Sequence, residues 1–351
     1  MWQTPVNTGR KGQDMQQRRT GSMVSKQWIE ETRKYFLDFL RATNFPEFVH
    51  ASERGPEVEY PEWLIMLIGV VAVKSKEKTY VGIHRLSARY WRELCGQEVR
   101  ASPISESRLR ARLKKSALSL EQVQDTFIRF FHQTTCESVV SADKMRGHAR
   151  GPVWHRKQQA QGIIPRGLRG LDTDGTWSYS RSDGWVYGHG TFCLVACKNR
   201  ILGAFKWMRN SANEAKRMWL ETGKLKRVIT TVLMDSKADD QDLFREFHRQ
   251  RGMRLLTTAR KGADKSPARQ QMVKILQQRK NKRLYKQRSY TVEPMPGLIK
   301  DIFELDRCWM RGTENNRWVF AAMGVAVQMH QYRAWQAGRS TWAIKQEVLG
   351  R

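Results

Sequence analysis

Three acidic residues of this 351-residue chain stand where strand ends and a helix start would present them. Asp143 closes the β-rich run Ser138-Val139-Val140-Ser141-Ala142, and Asp235 closes Val228-Ile229-Thr230-Thr231-Val232-Leu233-Met234. Glu293 opens Val292-Glu293-Pro294-Met295-Pro296-Gly297-Leu298-Ile299-Lys300, where prolines fit only the first turn of a helix. Carboxylate oxygens are hard ligands suited to Mg²⁺, with Mn²⁺ as a substitute. Three that converge can hold two such ions, which clamp the attacking and leaving oxygens of a displacement at phosphorus. Glu293 and Lys300 are seven residues apart, so a helix carrying both would set a cation beside a metal-binding carboxylate. A rival first carboxylate, Asp174, lies in Leu171-Asp172-Thr173-Asp174-Gly175-Thr176, but no strand-like run precedes it.

The composition narrows the substrate. A formal charge of +29 and 63 Lys and Arg residues spread along the chain suit a polyanionic partner, which favours nucleic acid over a membrane surface. Hydrophobic residues make up 40% of the chain, with thirteen Trp and thirteen Phe, enough for a sizeable core. The longest apolar run, Trp63 to Val73, is too short for a bilayer span, which takes about 20 residues. It reads as a buried helix, and no leader peptide is expected ahead of it. Five cysteines without Cys-x-x-Cys spacing point to a reducing compartment and no zinc ribbon. No two of the eight histidines have the helical spacing of a metal pair.

The elements that must position the carboxylates follow from periodicity and turn signals. Residues 1–26 read as a flexible basic arm. Residues 27–134 read as a helical, cation-studded module suited to DNA contact, with Pro61 opening the apolar helix and Ser119-x-x-Gln122 as a capping box. From 135 the pattern turns to strands: Val139-Val140, Gly184 to Ala196 and Ile201 to Trp207, the last two joined by Lys198-Asn199-Arg200. A helix over 212–225, the strand before Asp235, a helix capped by Asp239 or Asp240 and stopped by Gly252, and a strand at 253–258 complete the order. The fold class expected is α/β, a ribonuclease-H-like mixed sheet flanked by helices, spanning 135–335 behind the mainly helical N-terminal domain. A basic helical segment at 260–288, with Ser266-Pro267 as the start of one helix, carries eleven Lys or Arg against one Asp. Residues 336–351 read as a C-terminal tail.

Residues 137–333 resemble a bacterial insertion-sequence transposase with a DDE catalytic core. The resemblance rests on three segments. Ala142-Asp143 is followed by Gly151-Pro152-Val153-Trp154 and Gly184-Trp185-Val186-Tyr187-Gly188. Val232-Leu233-Met234-Asp235 is the second. Tyr285-Lys286-Gln287-Arg288, Glu293, Lys300 and Arg311-Gly312 form the third, similar to the family's Tyr-Arg-Glu-Lys signature. The spacing from Arg288 to Glu293 is one residue longer than the family's, and Asp143-Lys144-Met145 departs from its usual first motif. The resemblance implies that Asp143 (or Asp174), Asp235 and Glu293 are catalytic metal ligands for two Mg²⁺ ions. It implies that Tyr285, Arg288, Lys300 and Arg311 grip DNA, with Arg307 and Trp309 nearby. It further implies double-stranded DNA, both element ends and target, as substrate, a homodimer on paired ends, and a cytoplasmic, nucleoid-associated location. The same residues would serve a nuclease of this fold that cuts without joining, and a non-catalytic DNA-binding remnant would keep the charge but not the chemistry.

Overall fold

The computed structural model describes residues 24–45, 59–180, 183–260 and 266–350. The arm read at 1–26 therefore lies outside the described residues as far as position 23, as do 261–265 of the basic segment.

The N-terminal half is helical. Ser25 accepts the Trp28 N–H at 3.1 Å and opens α1 (Lys26–Ala42), which buries Ile29, Phe36 and Leu40. Pro61 precedes α2 (Glu62–Lys74), whose residues from Leu64 onward are all buried, as an apolar run with no polar face requires. Then come α3 (Tyr80–Arg89), α4 (Trp91–Cys95), α5 (Glu106–Lys115) and α6 (Ala117–Thr135). The capping box expected at Ser119 is not formed: α6 begins two residues earlier, and the Ser119 hydroxyl donates to Glu62 on α2 at 3.0 Å.

The sheet has six strands. β1 (Val139–His148) runs antiparallel to β3 (Gly184–Ala196), and β4 (Ile201–Arg209) and β2 (Thr176–Ser180) are also antiparallel to β3. On its other edge β1 pairs parallel with β5 (Thr231–Leu233), and β5 pairs parallel with β6 (Arg254–Leu256). Parallel neighbours need a crossover. Here α8 (Glu214–Gly223) lies between β4 and β5, and α9 (Gln241–Arg251) between β5 and β6. A short α7 (Arg156–Ala160) precedes β2. Three expectations change. β1 continues five residues past Asp143, because the long β3 offers it partners as far as Gly188. β2 forms after Asp174 without a strand-like run, on the free length of β3 at 184–188. The basic segment holds two helices, α10 (Pro267–Gln277) and α11 (Arg279–Lys286), broken at Gln278 by an extended backbone of φ −55° and ψ 131°.

After α12 (Met295–Phe303) comes the longest helix, α13 (Thr313–Gln336), in which every residue from Trp318 to Tyr332 is buried. It packs against α2, α6 and β4. Gly324 permits this approach: a Cβ there would lie 2.6 Å from Gln124 Nε2 and 3.0 Å from Phe205 Cβ. One apolar cluster runs from Ile29 through the sheet to Leu349, the latter on α14 (Lys345–Leu349), so the helices of the first 134 residues and the sheet share a core. Among the described residues, no helix is long and apolar enough to cross a membrane.

The outer edge of β4 is closed by side-chain amides. Gln124 accepts the Phe205 N–H at 2.6 Å and donates to Ala321 O at 3.0 Å; Gln331 accepts the Leu202 N–H at 2.7 Å; Gln328 donates to Leu202 O and Gly203 O at 3.0 Å each. A buried strand edge must find partners for its backbone. Gln124→Leu leaves the buried Phe205 N–H without its partner, while Ala321 C=O keeps its helical bond within α13, and is expected to cost about 1–3 kcal/mol in urea unfolding. A change below about 0.5 kcal/mol would contradict this role.

Candidate active site

The strand register brings two of the carboxylates together. Ser141 on β1 is level with Leu233 on β5, and each is followed two residues later by an aspartate. On parallel neighbours, Asp143 and Asp235 are therefore side by side. A third carboxylate joins them from α8. Glu214, its first residue, can bring an oxygen within 4.8 Å of oxygens from both aspartates, and among the described residues this is the one set of three or more metal-capable side chains so close. Sequence reasoning passed over Glu214. Its only signal was Asn213 ahead of it, whose side chain accepts the Ala215 and Lys216 N–H groups and so fixes the helix start.

Glu293 is linked to Asp143 through Arg288. It lies in the turn before α12, two residues short of the helix start expected for it, because Pro294 takes the N-cap position. Glu293 is half exposed, whereas Arg288, in the 3₁₀ turn Gln287–Tyr290, is buried. The Arg288 guanidinium stands 3.8 Å from Asp143 Oδ2 and 3.8 Å from Glu293 Oε1, and its carbonyl accepts the Glu293 N–H at 3.1 Å. The residue whose spacing departs from the family pattern is thus the one that links Glu293 to Asp143.

The rest of the set is spread out. Tyr285 on α11 packs with Leu233 and Leu256 and lies under Arg288, 5.9 Å from ring centroid to guanidinium. Lys300 is exposed in the last turn of α12, off the helical face assumed for Glu293. Arg311 is exposed beside Gly170. Asp174 is engaged elsewhere: its Oδ2 accepts the Thr313 N–H at 2.7 Å, at the positive end of the α13 dipole. Its neighbour Asp172 accepts from Gly312 N–H and from His189 Nε2–H, while His189 Nδ1 accepts the Trp207 N–H at 3.0 Å, which fixes the imidazole tautomer. Trp309 is buried against Phe303, and Arg307 donates to Gly151 O.

Like charges so close need compensation. Glu214 receives Lys237 Nζ at 2.6 Å, Arg146 at 3.3 Å and Lys144 at 3.7 Å on the same oxygen, Oε1. Its Oε2 is buried without a protein partner. Asp235 Oδ1 accepts the Lys237 N–H at 3.0 Å, and Thr257 Oγ1 holds the Asp235 carbonyl at 2.6 Å. Asp143 Oδ1 accepts the Lys144 N–H at 2.8 Å. Burial raises the Asp143 carboxyl to about 6, against the pull of Arg288 and with a smaller push from Asp235 and Glu214. Burial likewise lowers the Lys144 ammonium to about 8, opposed by Glu214 and reinforced by Arg146 and Lys237. Three hard oxygen donors, one of them an orphaned carboxylate oxygen, fit a divalent cation.

No protein-family model matches the chain, and no curated protein does. Among solved structures it is similar to the cryo-EM structure of a piggyBac transposase synaptic complex with hairpin DNA, at 9% sequence identity over 95% of this chain and 80% of that one, with a TM-score of 0.42.

The raised Asp143 carboxyl sets a pH dependence. A carboxyl whose folded value (about 6) exceeds its ordinary 3.8 lends stability that is present below 3.8 and lost as pH rises through 6. A shift of that size corresponds to about 3 kcal/mol. Asp143→Asn is free of that loss. In metal-free buffer its thermal midpoint should rise relative to wild type between pH 5 and pH 8; a gap that stays constant or closes would contradict the raised value.

Proposed function

We propose that this chain is a DNA transposase of the DDE type, with a ribonuclease-H-like core that cuts the ends of its element and joins them to target DNA. The observation that carries the reading is the placement of Asp143 and Asp235 two residues beyond a matched pair of adjacent parallel strands, with Glu214 within reach of both and Glu293 linked to Asp143 through Arg288. Antiparallel β1, β3 and β4, with the short β2 added at the edge of β3, followed by two parallel strands across helices, support the ribonuclease-H-like assignment. The charge of +29 supports a nucleic-acid substrate.

Asp143 and Asp235 would hold two Mg²⁺ ions, with Mn²⁺ able to replace them, and Glu293 would complete the set. Bound there, such ions would supply Lewis-acid activation of a water and charge neutralisation for displacement at phosphorus. The chain's own residues orient and charge-balance the strand. Arg288 is fixed between two carboxylates, where a scissile phosphate would meet its guanidinium. Lys300, Arg311 and the cations of α10 and α11 would grip flanking phosphates, and Tyr285 would steady Arg288. An element has two ends to be joined, so the working unit of this reading is a homodimer on paired ends of double-stranded DNA.

Glu214 gives a second reading of the third ligand. It is closer to the aspartates, but three cations already occupy one of its oxygens, whereas Glu293 is open to solvent and tied by Arg288 alone. Joining reactions on linear DNA carrying the sequences that flank the gene, with Mg²⁺, decide among these. Asp235→Asn should lower cleavage by at least ~10²-fold with little change in DNA binding. Glu293→Gln should match it, and Glu214→Gln should retain most activity; the reverse order moves the third ligand to α8. Wild type that binds those ends and cuts with neither Mg²⁺ nor Mn²⁺ would sink the enzymatic reading. Cutting without joining would reduce it to a nuclease.

A further inference from the structure

A second polar site shares no residue with the acidic cluster. Helices α1, α2 and α13 and the C-terminal segment enclose an open pocket of ≈ 640 Å³ whose walls include Trp28, Thr32, Tyr35, Lys74, His330 and Arg333. Its polar groups are unusually short of partners. His330 is only 2% exposed, yet neither ring nitrogen has a hydrogen-bond partner, and the Trp28 Nε1–H is likewise unpaired. Lys74 is 4% exposed and donates to Thr32 Oγ1 at 2.9 Å, with its ammonium 4.9 Å over the Trp28 ring. Arg333 lies exposed on the face of Tyr35 at 3.8 Å. The acidic groups of the pocket form no ion pair with these cations: Glu347 is paired with Arg339, and Glu31, exposed on α1 and accepting from Gln27, acts on Lys74 only at a distance.

A buried polar group without a partner is costly, and a buried cation more so. Burial without an ion pair disfavours the charged forms of these groups. Burial lowers the Lys74 ammonium to about 7, with Glu31 opposing and Arg333 assisting, and burial with Lys74 and Arg333 holds His330 well below its ordinary value. The donors are the free ammonium hydrogens of Lys74, an imidazole N–H, the indole N–H and the Arg333 fork. They outnumber what the two oxygens of a carboxylate receive and match the several oxygens of a tetrahedral anion. Trp28 and Tyr35 add flat apolar walls.

We propose that this pocket binds a phosphate group, held by Lys74, His330, Arg333 and the Trp28 N–H. The group can belong to a small phosphorylated molecule or to a DNA strand, and the site does not depend on the reading of the acidic cluster.

Thermal melting and calorimetry of the full chain with inorganic phosphate, against chloride at matched ionic strength, test it. Phosphate should raise the midpoint by several degrees beyond chloride. Lys74→Met keeps the length of the side chain and removes a buried charge, so it should fold and bind phosphate at least ~10-fold more weakly. Arg333→Gln, an exposed change, provides the same test if Lys74→Met does not fold. Lys226→Met, an exposed cation outside the pocket, should bind as wild type does. Competition assigns the source: displacement of phosphate by a 5′-phosphorylated oligonucleotide but not its 5′-hydroxyl form points to DNA, and displacement by a mononucleotide alone points to a small molecule. A phosphate shift no larger than that of chloride, or one retained in Lys74→Met and Arg333→Gln, would overturn the assignment.

Discussion

Carboxylates held side by side repel one another, and much of this molecule can be understood as the means of keeping them there. The parallel pairing of β1 with β5 leaves Asp143 and Asp235 no choice of position, since both follow a matched register by the same two residues. Glu214 comes from α8 and Glu293 from the turn before α12, and each arrives with positive charge. Lys144, Arg146 and Lys237 converge on Glu214, and Arg288 spans Asp143 and Glu293. Side chains of like sign buried this close persist only where surrounding structure over-determines them. A divalent cation would take over part of the work these cations do.

That surrounding structure is the shared core. Helix α13 fills the space between the sheet and the N-terminal helices, and the amides of Gln124, Gln328 and Gln331 tie the edge of β4 to it. The α8 crossover leaves β4 to deliver Glu214, so a rigid β4 fixes the angle at which that carboxylate enters. The end of α13 is fixed too, by Asp172 and Asp174, whose carboxylates receive the Gly312 and Thr313 N–H groups. Buried Lys206, between Asp125 and Glu221, ties α6, β4 and α8 together on the same principle of paired burial.

The sheet was legible because its strands carry β-branched runs that end in turn residues, and Asp143 and Asp235 were legible because such runs lead straight into them. Strand β2 was not, since Trp177-Ser178-Tyr179 pairs only because β3 extends beyond the end of β4 on the same edge. Glu214 was hidden for a related reason. One glutamate at a helix start looks like any other until the register of distant strands places it. The pairing of Arg288 with both Asp143 and Glu293 joins segments far apart in the chain, which spacing alone could not reveal. The partnerless His330 reads in the sequence as an ordinary residue of an apolar helix; only the packing of α1 and α2 around it makes a pocket.

Localised oxidative cleavage would test most directly whether the carboxylate cluster holds a divalent cation. Fe²⁺ bound in place of Mg²⁺, with ascorbate and peroxide, generates radicals that cut the backbone near the ion, and the fragments can be mapped by mass spectrometry. Cuts should centre on residues near 143 and 235, with further cuts near 293 or 214 marking the third ligand, and Mg²⁺ should suppress them. Cuts that are absent, dispersed, or unchanged in Asp143→Asn and Asp235→Asn would contradict a metal site there, and with it the proposed chemistry.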